Sequence, residues 1–140
     1  MAIKEYSLKR DGEKQLSPNF KVREFACNDG SDVIMIDQEL VIVLQCIREH
    51  FGKALHITSG FRTANYNNIV GGSKNSQHLL GRAADLWVEG VPVATVAAYA
   101  EALLPTHGGV GRYPKDAKHP NRKTGWVHVD ARANKSRWTL

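Results

Sequence analysis

Hydrophobic residues recur at spacings of three and four between residues 38 and 51, which predicts an amphipathic helix. The apolar positions of this helix are Leu40, Val43, Leu44, Ile47 and Phe51. Asp37 precedes the pattern and is placed to cap the helix, because its carboxylate can accept a hydrogen bond from a free backbone N–H of the first turn. Gly52 follows the pattern, where a glycine commonly ends a helix.

Short apolar runs bounded by turn residues predict four strands, at residues 54–59, 83–88, 108–113 and 126–131. Pro92 fits the start of a second long helix over residues 93–104, and Pro105 would end it. One helical turn is expected near residues 64–70.

The segment before the first long helix predicts a short helix and a loop. Phe20 and Phe25 would face the core from a helix over residues 20–25, capped by Ser17 or Asn19. Residues 28–32 combine Asn, Asp, Gly and Ser, which favours a loop.

The order of these elements predicts the fold class and the domain organisation. Helices and strands do not alternate regularly, so we expect an α+β fold with a mainly antiparallel sheet. The first 19 residues are polar and carry turn signals, which favours an arm or a short strand. We therefore divide the 140 residues into an N-terminal arm over 1–15 and one domain over 16–140.

Charge and composition narrow the choice of partner. The net charge of +5 favours anionic partners, but the basic residues are dispersed and no nucleic-acid motif accompanies them.

Cys27 and Cys46 match no metal-binding spacing, and we expect two free thiols. No apolar run reaches the roughly 18 residues of a membrane span. The charged first residues do not fit a signal peptide, so synthesis in the cytoplasm is expected.

Three residues could bind a metal ion. His78 and Asp85 lie seven residues apart where a loop leads into a predicted strand, and His128 lies on the last predicted strand. Two imidazoles and one carboxylate suit a catalytic zinc site, which keeps a fourth position open. A closed structural site would usually recruit cysteines, and neither cysteine is near these residues in sequence.

Asp130 is two residues beyond His128, so both side chains project to the same face of the strand, as does that of Trp126. Asp130 could accept the second ring N–H of His128, or it could reach water held by the metal.

The other histidines are expected to be structural (His50, His56 and His119) or solvent-facing (His107).

The metal-binding candidates lie in a motif that resembles a known family. Residues 76–85 carry Ser76, His78, Gly81, Ala83 and Asp85, which resembles the SxHxxGxAxD signature of zinc D-alanyl-D-alanine carboxypeptidases and their endopeptidase relatives. This family is peptidase M15, and it shares its fold with the Hedgehog signalling domain. Residues 59–63 resemble its SGYR segment, and residues 125–132 resemble its closing strand. Residues 20–25 and 109–113 resemble the small branch found in phage and prophage lysis genes, so the resemblance spans about residues 16–138.

The resemblance implies a role for each matching residue. His78, Asp85 and His128 would bind zinc. Arg62 would hold a substrate carboxylate or the oxyanion, although an arginine at a strand end could also only tie down the loop. Ser76 would bind substrate or support a ligand, or simply cap the loop.

The sequence departs from the family pattern just before the last histidine. Many members carry an acidic residue or a histidine there as the general base, but this chain has Gly125 and Trp126. The general base would then be Asp130, which we favour, or a loop residue such as His107 or Asp116. Asp130 could equally serve only to orient His128.

The resemblance implies zinc-dependent hydrolysis of peptidoglycan stem peptides, as a carboxypeptidase or as an endopeptidase of the endolysin type. The chain would act as a monomer, without a nucleic-acid or membrane partner, and a holin or phage delivery would bring it to the wall. The main alternative is a non-catalytic zinc module that binds wall peptides or a protein. A basic nucleic-acid binder is a third hypothesis.

Overall fold

The computed structural model describes residues 2–116 and 124–140. The strands are β1 (Ile3–Ser7), β2 (Gln15–Ser17), β3 (Phe20–Lys21), β4 (Val33–Asp37), β5 (Leu55–Ser59), β6 (Ala83–Val88), β7 (Gly109–Tyr113), β8 (Trp126–Asp130) and β9 (Ser136–Thr139). The α-helices are α1 (Leu8–Asp11), α2 (Gln38–Phe51), α3 (Ala64–Ile69) and α4 (Val93–Leu103), and two 3-10 helices cover Val22–Phe25 and Gln77–Leu80. No helix in these described ranges has the length and apolar character needed to cross a membrane.

A five-stranded sheet in the order β5-β6-β8-β7-β9 forms the centre of the fold. All of its pairings are antiparallel except the one between β7 and β9. Together with two separate two-stranded antiparallel sheets, β1-β4 and β2-β3, this confirms the predicted α+β fold class.

The two faces of the central sheet differ in chemistry because side chains alternate along each strand. Val127 and Val129 of β8 point into the hydrophobic core beneath α2 and α4. His128 and Asp130 project from the opposite face, as their alternation predicted. The sheet thus separates the core from the polar residues considered below.

Helix α2 confirms the prediction from hydrophobic spacing. The Asp37 side chain accepts a hydrogen bond from the Glu39 backbone N–H at 2.8 Å, and Gly52 ends the helix with a φ of 62°. Leu44 and Ile47 are fully buried on the inner face. Truncation of a buried leucine such as Leu44 to alanine would cost about 2–5 kcal/mol of stability.

The N-terminal residues form a strand, which was one of the two alternatives for this segment. β1 pairs antiparallel with β4 from Ile3↔Asp37 to Ser7↔Val33. The capping side chain of α1 is Ser7, which accepts from the Arg10 backbone N–H at 3.2 Å. Residues 3–11 therefore fold onto the segment that leads into α2 rather than extending away from it.

The predicted short helix at residues 20–25 is partly wrong. Phe20 lies in β3, and only Val22–Phe25 form a 3-10 helix, which begins after Lys21 rather than at Ser17 or Asn19. The Glu24 carboxylate accepts the backbone N–H of Lys21 at 2.7 Å, and this bond fixes the start of the turn. Phe20 and Phe25 are buried as predicted, with their rings edge to face at 6.3 Å.

Candidate metal centre

His78, Asp85 and His128 lie side by side on the polar face of the central sheet. Asp85 on β6 is the direct partner of His128 on β8. His78 comes from the 3-10 helix Gln77–Leu80, which leads into β6. All three side chains are buried, and one ligand atom of each lies within 4.8 Å of the others. The structure therefore brings together the three residues that the sequence predicted as ligands.

The three ligand atoms have separations that suit a small cation. His78 Nε2 lies 3.3 Å from Asp85 Oδ1, and His128 Nδ1 lies 3.0 Å from the same oxygen. Tetrahedral zinc, with bonds of about 2.0–2.2 Å to nitrogen and oxygen, places its ligand atoms roughly 3.3–3.6 Å apart. The 3.3 Å separation matches this spacing and the 3.0 Å separation is slightly shorter, so the donor set fits a zinc site with three protein ligands.

Hydrogen bonds to the outer ring nitrogens orient both imidazoles. His78 Nδ1 donates to the Gly60 carbonyl at 2.7 Å, and His128 Nε2 donates to Asp130 Oδ2 at 2.7 Å. Because each outer nitrogen has its own acceptor, Nε2 of His78 and Nδ1 of His128 are the ring atoms that face Asp85 and could bind a metal ion. Metal-binding histidines almost always have such a partner, which fixes their tautomer.

Asp85 is ionised in this surrounding. Burial raises the pKa of the Asp85 carboxyl, but the hydrogen bonds from His128 and His78 outweigh it and bring that pKa below its usual range. Its second oxygen, Oδ2, accepts from Arg62 Nη2 at 3.3 Å. The carboxylate is thus held with Oδ1 toward the two histidines.

Asp130 lies behind His128 and is only 1% exposed. In addition to His128, it accepts the Gly109 backbone N–H at 2.9 Å and a bidentate pair from the Arg132 side chain, at 2.8 Å to Oδ1 and 2.6 Å to Oδ2. A Cβ at Gly109 would lie 2.3 Å from Asp130 Oδ2, so only glycine leaves room for the carboxylate. These contacts use both oxygens and favour the role of orienting His128 over that of general base.

Arg62 is brought to the centre, as the resemblance implied. It follows β5, and besides Asp85 it donates from Nε to Ser59 Oγ at 3.0 Å and from Nη1 to Asn67 Oδ1 at 3.2 Å. It therefore ties down the neighbouring loop and at the same time presents its guanidinium at the metal site. These contacts agree with the expectation that Arg62 ties down the loop, and its role toward a substrate stays a prediction.

Ser76 acts as a cap. Its hydroxyl accepts the backbone N–H of His78 at 3.2 Å and starts the 3-10 helix that carries this ligand. Gly81 ends the same helix with a φ of 74°, and a Cβ there would lie 2.2 Å from the Met35 carbonyl oxygen. Residues 76 and 81 of the signature thus set the path of the chain around His78.

The alternative bases and the other histidines have different surroundings. His107 pairs with Glu39 in the first turn of α2, and Asp116 is an exposed loop residue. His50 stacks on the Tyr99 ring, and His56 pairs with Glu89 at 2.8 Å. His119 lies outside the described residues. Cys27 and Cys46 are free thiols, as predicted.

A groove of about 560 Å³ opens beside the three ligands. One part of its lining is the loop that follows α3, at residues 70–76, and another part is aromatic. The aromatic residues are Tyr113, Trp126 and Trp138, of which Tyr113 and Trp126 stack at 4.8 Å between ring centroids. An extended peptide could lie along such a groove and pass the metal centre.

Two residues of this site were missed in the sequence. Asn67 is buried, and besides accepting from Arg62 it donates from Nδ2 to the Ser73 carbonyl at 2.9 Å, which closes the loop at the groove. Trp138 lies on β9, where its ring packs 5.1 Å from that of His128 and over Gly111. The Asn-rich loop and the tryptophan near the chain end are the only sequence signals for them, and neither is specific.

Comparisons with known proteins agree with this site. The chain is 35% identical over 81 residues to the probable peptidoglycan L,D-endopeptidase MepK of Haemophilus influenzae, covering 54% of this chain and 38% of that protein. It is 31% identical over 83 residues to the peptidoglycan L,D-endopeptidase MepK of Escherichia coli K12, covering 56% and 40%. The chain thus spans about two fifths of the length of these curated relatives. Residues 17–130 match the peptidase M15 family, and they include all three candidate ligands. The chain belongs to the peptidase M15 family.

Proposed function

We propose that this chain is a zinc-dependent peptidase that hydrolyses peptide bonds in the stem peptides of peptidoglycan. The observation that carries the proposal is the convergence of His78, Asp85 and His128 beside an open groove. The outer nitrogen of each histidine is already hydrogen-bonded, so the ligands are oriented for a cation.

The relatives support an endopeptidase. The names of the Haemophilus and Escherichia proteins describe cleavage of an L,D bond in peptidoglycan. We therefore favour an internal bond of the stem peptide as the point of cleavage. Removal of a terminal D-alanine and a role in phage lysis, which the sequence resemblance implied, stay predictions.

Zinc, when bound, would polarise the substrate carbonyl and lower the pKa of water. The residues of the protein itself would position the peptide and stabilise the charge that develops on it. Arg62 would stabilise the negative charge that develops on the carbonyl oxygen, because its guanidinium lies at the ligand Asp85. Asp130 would keep Nδ1 of His128 free of a proton. The groove would hold the peptide on either side of the cleaved bond.

One observation favours a second candidate, a zinc module that binds wall peptides without cutting them. Among the described residues that line the groove, the only acidic side chain is that of Asp85, which is itself a candidate ligand. Gly125 and Trp126 stand where many family members carry a general base. A test of the function must therefore separate hydrolysis from binding.

Two measurements on the same protein make this separation. Zinc content by elemental analysis should be about one ion per chain, and His78→Ala combined with His128→Ala should abolish it. Purified peptidoglycan should then release soluble peptide with the zinc-loaded chain, but not with the double variant or with a chelator. Tight zinc and stable wall binding without any release would support the binding module instead. Full zinc occupancy in the double variant would overturn the ligand assignment.

A further inference from the structure

Tyr113 ends β7 on the face of the central sheet that carries the candidate ligands. Its partner on β8 is Trp126, and Gly111, two residues earlier, is the partner of His128. Paired residues of neighbouring strands share a face of the sheet, and so do residues two apart along one strand. The Tyr113 side chain therefore projects on the ligand side, about 7 Å along the strands from His128. There it lines the groove.

Tyr113 differs in chemistry from the other ionisable groups of the groove. Within the described parts of the chain, the ionisable side chains that line the groove are those of Arg62, His78, Asp85, Tyr113, His128 and Arg132. His78, Asp85 and His128 are the candidate ligands, and an arginine side chain does not give up its proton in a protein. A phenol hydroxyl can both give a proton and take it back. Tyr113 is thus the side chain of this set that is suited to proton transfer.

Two tryptophans hold Tyr113 in place. Its ring stacks on that of Trp126 at an interplanar angle of 6°. Trp138 Nε1 donates a hydrogen bond to the Tyr113 hydroxyl oxygen at 2.9 Å. An indole N–H can only donate, so the hydrogen of the Tyr113 hydroxyl points toward a different partner. The ring and the hydroxyl are therefore each fixed by a separate contact.

Trp138 also connects Tyr113 to the metal centre. Its indole lies over Gly111, where a Cβ would come within 2.4 Å of the ring. The same indole packs 5.1 Å from the His128 ring. The space left by the glycine thus holds a side chain that contacts His128 and binds the Tyr113 hydroxyl.

Hydrolysis of a peptide bond requires a proton donor for the departing nitrogen. When the C–N bond breaks, its electron pair stays on the nitrogen, and the amine leaves readily only if that nitrogen takes up a proton. A phenol O–H can supply this proton. The phenolate then regains a proton from the new carboxyl group, which received it with the added water. The products are the acid and the amine, and the phenol is restored.

We propose that Tyr113 is the proton donor to the departing amine, and that Trp138 is the positioning residue that orients its hydroxyl. This inference rests on the proposed function and adds a catalytic residue to it. Tyr113 stands beside the ligands rather than among them, so its loss should impair catalysis and leave the zinc content unchanged.

The test compares two substrates with the same acyl peptide and different leaving groups. One contains the internal amide bond, and the other is an ester of an acidic phenol, which departs as a phenolate without taking a proton. Tyr113→Phe keeps the ring and removes the hydroxyl. In the zinc-loaded variant, kcat should fall roughly 10²- to 10⁴-fold for the amide, the usual contribution of general acid–base catalysis, and less than about 5-fold for the ester.

Trp138→Phe tests the positioning role. Phenylalanine can still pack beside His128, but it has no N–H to donate to the Tyr113 hydroxyl. Loss of this hydrogen bond should lower kcat roughly 2- to 10-fold for the amide and leave the ester rate unchanged. Equal losses for the two substrates would show that Trp138 acts only through packing, and would overturn its positioning role.

Tyr99→Phe is the matched control. It also removes a hydroxyl from a tyrosine that stacks on another ring, here that of His50 at 3.8 Å, but Tyr99 lies on α4 and does not line the groove. Both rates should stay unchanged. If Tyr113→Phe loses no activity on the amide, or loses equally on amide and ester, the proton donor is overturned while the proposed function stands. If the unaltered zinc-loaded protein cleaves neither substrate, the proposed function fails and this inference fails with it.

Discussion

Replacement of Asp130 by asparagine tests how the metal centre is oriented. The carboxylate accepts donors at both oxygens, with His128 Nε2 at Oδ2 and the Gly109 N–H at Oδ1. An asparagine has one oxygen and one amide NH₂. Whichever way it turns, the NH₂ faces one of these two donors.

The expected loss of zinc affinity follows from this contact between two hydrogen-bond donors. An NH₂ that faces His128 Nε2 favours the tautomer with the proton on Nδ1, and a protonated Nδ1 cannot bind a metal. Loss of such a supporting partner weakens metal affinity roughly 10- to 100-fold. This corresponds to about 1.4–2.7 kcal/mol of binding free energy. Once zinc is saturating, the rate should return to near that of the unaltered protein.

The assay is a competition titration of the metal-free protein with zinc and a fluorescent chelator, followed by peptide hydrolysis at saturating zinc. Asp32→Asn is the matched control, because Asp32 is an exposed carboxylate that binds the Lys9 backbone N–H. It should leave zinc affinity unchanged. The reasoning would be refuted if Asp130→Asn kept full zinc affinity but lost roughly 10²- to 10⁴-fold in rate at saturating zinc, since that loss is typical of a general base.

Three further substitutions test the surroundings of the centre. Arg62→Ala should lower kcat/KM roughly 10²- to 10³-fold at unchanged zinc content, as for loss of an oxyanion donor; normal kinetics would leave it a purely structural role. Asn67→Ala removes the hydrogen bonds to Arg62 and Ser73, so urea denaturation should show a loss of about 1–3 kcal/mol, and unaltered stability would count against this anchor. Gly111→Ala would place a Cβ 2.4 Å from the Trp138 ring, so we expect about 1–3 kcal/mol of destabilisation with a shift in tryptophan fluorescence, and unchanged fluorescence would contradict the packing.

Elements with local signals were predictable from the sequence. Helix α2 has its cap, its apolar face and its terminal glycine within 16 residues, so Asp37 and Gly52 marked its ends correctly. The predicted strands at residues 54–59, 83–88, 108–113 and 126–131 correspond to β5, β6, β7 and β8 within a residue at each end.

Elements that depend on distant partners were not predictable. β4 is five residues long, and its partner β1 lies about 30 residues earlier in the chain. β9 pairs parallel with β7, and nothing in residues 136–139 indicates that pairing. Both strands owe their form to tertiary contacts rather than to their own pattern.

In the candidate site, too, some features could be predicted from the local sequence and others depend on distant partners. The spacing of His78 and Asp85, with His128 on a later strand, identified the candidate ligands that the fold brings together, because the resemblance adds specificity to the spacing. The role of Asp130 stayed open in the sequence, since strand alternation gives the face but not the partners. Only the fold shows that Arg132 and the Gly109 backbone N–H use its oxygens.

The most direct measurement of the central claim is mass analysis of purified peptidoglycan after incubation with the zinc-loaded chain. New peptide fragments that carry the termini of one internal stem-peptide bond are the expected result. These fragments should be absent with a chelator and with the His78→Ala, His128→Ala double variant. Unchanged peptidoglycan after incubation with fully zinc-loaded, folded protein would contradict the account.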